Sequence, residues 1–168
     1  SDTKIIFETS SKQYNLKPNQ ELVDELLKLV DGHTQYLLFA LISLKESNSN
    51  INPKDLFEFL KNDERISLQS EELWESLTAG EQEILLKVVG KKNLTDEEIK
   101  NAQYLINTGF FDQKTFRIFS PIFNYFVKTK AEEKKEKNSS DFSKKENLLL
   151  IFLEQNKNEI CEREQIIE

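Results

Sequence analysis

Apolar residues recur at helical spacing along most of the chain. From Pro18 onward, Leu22, Val23, Leu26, Leu27, Leu29 and Val30 fall three and four residues apart. Asn19 or Pro18 can start this helix and Gly32 is suited to stop it. The next stretch, 33–45, is apolar on most faces through Tyr36, Leu37, Leu38, Phe39, Ala40, Leu41, Ile42 and Leu44. A helix of that kind needs neighbours on several sides. The Asn and Ser run at 47–52 predicts a loop, and Pro53 fits the first turn of a further helix with Leu56, Phe57, Phe59 and Leu60 as its buried stripe. Residues 18–77 therefore read as four or five short helices in a small bundle. Before them, residues 1–16 hold only the β-prone run Ile5, Ile6 and Phe7, which reads as strand or loop.

The pattern changes around Trp74. Thr78-Ala79-Gly80-Glu81 has capping-box spacing and opens a helix through Ile84, Leu85, Leu86, Val88 and Val89; Thr95-Asp96-Glu97-Glu98 repeats the device ahead of Ile99, Ala102, Leu105 and Ile106, with Gly109 as the stop. Phe110 and Phe111, a polar turn at 112–114, then Phe116, Ile118 and Phe119 read as a β-hairpin. Helix, helix, hairpin is the order of a winged helix. Ser120-Pro121 fits the cap and first turn of a closing helix with Ile122, Phe123, Tyr125, Phe126 and Val127. Residues 129–141 alternate Lys and Glu with no large apolar side chain, as a solvated linker or a helix extension would. Ser143-Lys144-Lys145-Glu146 again has capping-box spacing, before the apolar run 148–153. The expected organisation is an unassigned strand or loop at 1–16, a helical lid-like bundle at 17–70, a winged helix at 71–128, a charged linker at 129–141 and a truncated second winged helix at 142–168.

Composition narrows the options. Of 168 residues only 4 are Gly and 3 are Pro, too few turn formers for an all-β chain, so a mainly α fold is expected. One cysteine, Cys161, forms no internal disulfide and no thiolate metal site, which suits a reducing compartment; no apolar run reaches the length of a membrane span and no charged-then-apolar leader opens the sequence. A cytoplasmic location without membrane partners follows as the expectation. The absence of Met, even at position 1, reads as an excerpt of a longer chain.

Three stretches carry a resemblance. Gly32-His33-Thr34-Gln35-Tyr36-Leu37-Leu38, after an amphipathic helix, resembles the turn into a lid helix of signal-transduction ATPases with numerous domains (STAND ATPases), with Thr34 where a Pro is common. Residues 73–78 running into Glu81, with 116–123, resemble the winged helix that follows that lid. Residues 142–153, then Ile160-Cys161-Glu162-Arg163-Glu164, are similar to the opening of the response-regulator winged helix of the OmpR and PhoB type, with Glu162 where a Ser is usual. The resemblance implies a fragment of a multidomain transcriptional regulator in phosphorelay signal transduction. Its partners would be DNA, through the parent's complete C-terminal domain, and other protein domains of the same regulator. No P-loop occurs here, so ATP hydrolysis by these residues, and any cofactor, is not expected.

Charge decides how the modules are weighed. The formal net charge is -7, and residues 71–127 carry nine acidic and six basic side chains, so the central winged helix reads as an interaction element rather than a DNA reader. On the resemblance, Arg163, Lys144 and Lys145 are the candidate phosphate contacts; for Arg163 an intrahelical pair with Glu159 or Glu164 is an equal reading. His33, the single histidine, reads as a polar residue at a helix start, Cys161 as a small core residue, and Phe110, Phe111, Phe116, Phe119, Phe123 and Phe126 as core. No catalytic or metal-binding residue is assigned. The competing class is a non-catalytic adaptor whose helices all serve protein contacts.

Overall fold

The structure, a computed structural model, describes residues 2–47 and 51–155. It is mainly α, as the sequence predicts, with α1 (Asp2–Gln13), α2 (Gln20–Val30), α3 (Thr34–Glu46), a 3-10 turn (Pro53–Asp55), α4 (Leu56–Lys61), α5 (Glu64–Glu75), α6 (Ala79–Val89), α7 (Asp96–Asn101), α8 (Gln103–Asn107), a hairpin of β1 (Phe111–Asp112) and β2 (Arg117–Ile118), and α9 (Pro121–Gln155). Among the described residues no helix is long and apolar enough to cross a membrane.

Helix starts follow their caps. Asn19 Oδ1 accepts the Leu22 N–H at 2.8 Å, Asp63 Oδ1 accepts that of Arg65 at 3.0 Å, and both Thr-x-x-Glu sequences form complete capping boxes at α6 and α7. The strand or loop expected at 1–16 is instead α1. Its inward face uses Phe7, Ser10 and Ser11, all buried, so two of these three side chains are hydroxyls and no apolar period shows in the sequence. The single helix expected over 96–107 is divided at Ala102, where ψ of 2° leaves the helical well. Ala102 at the break and Leu105 after it are fully buried. No Gly or Pro marks the break.

In the hairpin, Phe111 pairs with Ile118 and Asp112 with Arg117, and both apolar members are buried. Asp112 locks the turn: Oδ1 accepts the Lys114 N–H at 2.8 Å and Oδ2 the Thr115 hydroxyl at 2.8 Å. Phe116, expected in the core, is 41 % exposed with φ of 51°, because the turn geometry carries its side chain outward.

The described residues up to 129 form one compact unit and those from 130 onward a second. The first has a continuous core in which Tyr36, Leu37 and Leu41 of α3, Leu85 of α6, Leu105 of α8, Phe111 of β1 and Phe123 of α9 are all fully buried. The boundary expected at residue 70 thus runs through shared packing rather than between two cores. The charged linker expected at 129–141 is helical, and Ser143 starts nothing, since α9 passes through both. Lys, Glu and Ala are good helix formers and neither Gly nor Pro interrupts 122–155, so the chain has no local reason to leave the helix. The rest of the truncated second winged helix, 156–168, lies outside the described residues.

Candidate interaction surface

The segments that would meet a partner are positioned by a joint between the α2–α3 turn and the root of α9. Asp31, in the left-handed conformation after α2, accepts from Arg117 Nη2 at 2.8 Å and from the Ser120 N–H at 3.1 Å through one oxygen, Oδ2. Ser120 Oγ donates to the Leu29 carbonyl at 2.7 Å and caps α9 by accepting the Ile122 N–H at 3.2 Å. His33 Nδ1 accepts the Tyr36 N–H at 3.2 Å, which makes it the N-cap of α3, and its ring lies 4.5 Å from that of Tyr36 and 5.6 Å from that of Phe119. This bears out the reading of His33 as a helix-start residue. The sequence does not announce the Asp31–Ser120 link, because an Asp-Gly helix end and a Ser-Pro helix start are each read locally while their union spans 89 residues.

A second polar joint ties α3 to α5. Arg65 forks onto Glu46 at 2.8 Å and Asp63 at 2.9 Å, and Ser43 Oγ donates to Asp63 Oδ2. Burial of Asp63 opposes its charge, yet the hydrogen bonds from Arg65 and Ser43 outweigh it and hold the carboxyl below its ordinary pKa; the Arg65 hydrogen bonds do the same for Glu46. Tyr36 Oη and Ser70 Oγ share a buried 2.7 Å hydrogen bond, and burial raises the phenol pKa well above its usual value. Each of these groups is committed to holding helices together.

On the α7–α8 side, where a groove-reading helix would lie, Asp96, Glu97 and Glu98 occupy the first turn. Glu98 receives Lys87 on Oε1 and the Thr95 N–H on Oε2 at 3.0 Å, and the Lys87 hydrogen bond leads in lowering its pKa. Lys87 and Arg117 are each engaged in an ion pair, although Arg117 is still 63 % exposed, and Lys91, Lys92, Lys100 and Lys114 are further exposed cations of this region. Two pieces of six and five residues replace the continuous helix that would span a major groove. The aromatic set is otherwise core: Phe123 stacks on Phe119 at 5.1 Å and on Phe126 at 6.0 Å, Phe110 meets Phe119 edge-on at 5.4 Å, and Trp74 lies 6.4 Å from Phe126.

The exposed apolar side chains are scattered. Ile5, Leu68, Tyr104 and Phe116 are exposed on the first unit, and Leu148, Leu149 and Ile151 on the helix of the second. A groove of about 360 Å³ between α2 and the 3-10 turn is lined by Glu21, Asp24, Glu25, Lys28, Pro53 and Lys54. Of the sequence candidates for phosphate contact, Lys145 is exposed on α9, the Lys144 side chain lies outside what is described although its backbone is in α9, and Arg163 and Cys161 fall outside the described residues. Among the described residues no group of His, Cys, Asp and Glu is arranged to hold a metal ion. Comparison with family models, curated proteins and solved structures gives no match.

Proposed function

We propose that this chain is a protein-contact module of a multidomain signalling regulator, with α7 and α8 serving as an interaction face. The observation that carries this reading is the acidic, internally paired start of α7 followed by a break at Ala102, which presents negative charge where a DNA reader presents cations. The exposed apolar side chains of Tyr104 and Phe116 supply contact area of the type that protein interfaces use. The regulatory context rests on the resemblance of the Gly32–Leu38 and 116–123 stretches, and DNA contact through Lys144, Lys145 and Arg163 belongs to the parent's complete C-terminal domain.

The test is a titration of labelled duplex DNA with the chain, followed by fluorescence anisotropy from 50 to about 200 mM salt, the interval over which phosphate-driven binding weakens steeply. No saturable complex is expected at any salt. A saturable complex whose affinity falls by orders of magnitude across the series would replace this reading with the DNA-binding one.

A further inference from the structure

The single histidine sits where a neutral imidazole is required. Because Nδ1 accepts the Tyr36 N–H, its lone pair is in use and the ring proton belongs on Nε2. A second proton would have to enter at Nδ1, where it would face the N–H it now receives. The same ring lies in tilted contact with the rings of Tyr36 and Phe119, the latter from the segment between β2 and α9. Protonation would also place a cation at the positive end of the α3 dipole.

We propose that His33 is a pH-sensitive clasp: its protonation uncaps α3 and loosens the ring contacts that tie the α2–α3 turn to the root of α9. The charged groups around it do not offset this. Asp31 is engaged by Arg117 and the Ser120 N–H, the Tyr36 hydroxyl points to Ser70, and α1 reaches the turn with Thr3, which is uncharged. Burial lowers the imidazole pKa from its ordinary 6.5. The folded state thus binds its proton later than the unfolded state, so the stabilisation is complete above 6.5 and is lost as pH falls through the lower folded value. Asp63, Glu46, Glu98 and Asp112 are held below the ordinary carboxyl values of 3.8 and 4.5 by their own hydrogen bonds, so the onset of the clasp's response, at 6.5, lies above their ordinary range.

With only one histidine, imidazole NMR reads the site directly in the full chain. The Nε2–H tautomer is expected at neutral pH, with a titration midpoint below 6.5. Amide exchange at Tyr36, corrected for the intrinsic pH dependence, is expected to rise by up to about tenfold per pH unit between the unfolded and folded pKa values and to level off beneath them. His33→Asn keeps a side-chain acceptor without titrating and should hold Tyr36 protection flat over that window. His33→Ala should give fast exchange at every pH. A ring midpoint at or above 6.5, Tyr36 protection indifferent to the ring titration, or the same pH response in His33→Asn would each overturn the proposal.

Discussion

Among the described residues five non-glycine positions adopt positive φ, and their surroundings sort them. Asp31 and Ser120 use the conformation to reach across the fold, Asn15 is of a type that tolerates it, and Phe116 rests its ring edge-on against Phe111 at 5.4 Å. Lys91, at φ of 53° just past α6, is exposed, and only its backbone is used there, donating to the Val88 carbonyl at 3.0 Å. Glycine would make the same hydrogen bond without the steric cost of a Cβ, which is about 1–2 kcal/mol, set against a greater loss of chain entropy of about 0.5–1 kcal/mol. Lys91→Gly should therefore raise stability by about 0.5–1 kcal/mol, seen as a melting temperature a few degrees higher. An unchanged or lower midpoint in a thermal melt would show that the lysine side chain contributes an interaction of its own.

At the level of elements, the contested one is α9, because its Lys and Glu stretch is compatible in sequence with a tether or a helix. Lys135→Pro separates these. In a continuous helix, an interior proline removes a hydrogen bond and costs about 3 kcal/mol or more, so ellipticity at 222 nm should fall while the near-ultraviolet signal of Trp74, in the first unit, keeps its midpoint. Were 129–141 a tether, ellipticity would not change. The elements whose information is local were legible in advance: Asn19, Thr78 and Thr95 announce their helices through a side chain three residues from its target, and the hairpin through its Phe and Ile alternation. Those that failed depend on context. Serines hide the buried face of α1, buried Ala102 breaks a helix with no sequence mark, and the spacing from Ser143 to Glu146 imitates a cap inside a helix that already exists. For the same reason His33 could be placed from its local sequence, whereas the Asp31–Ser120 union and the Arg65 fork, which need partners far along the chain, could not.

For the whole molecule the decisive question is whether residues 17–70 and 71–128 are held by one core or two. The structure gives them one, and Phe123 is its best probe: fully buried, stacked on Phe119 and Phe126, edge-on to Phe110, and seated in the same apolar cluster as Leu26, Tyr36 and Leu41 of the bundle. Phe123→Ala removes a large ring from a site fixed by three other rings, where collapse is restricted, and should cost about 3–5 kcal/mol. In a chain with two cores, that loss would fall on the hairpin half and on Trp74, which lies against Phe126, and helices α2 to α4 would melt at their original midpoint. With a shared core the penalty is transmitted to both halves, since Leu29 and Asp31 at the end of α2 lose their partners when Ser120 at the root of α9 moves. The expected result is one cooperative transition in urea at a lower midpoint. It should be followed in parallel by the near-ultraviolet signal of Trp74 on α5 and by an amide-exchange probe at Leu37 in α3, both of them outside the hairpin. A Leu37 amide that keeps its original protection while Trp74 loses its signal would mean that the bundle stands alone.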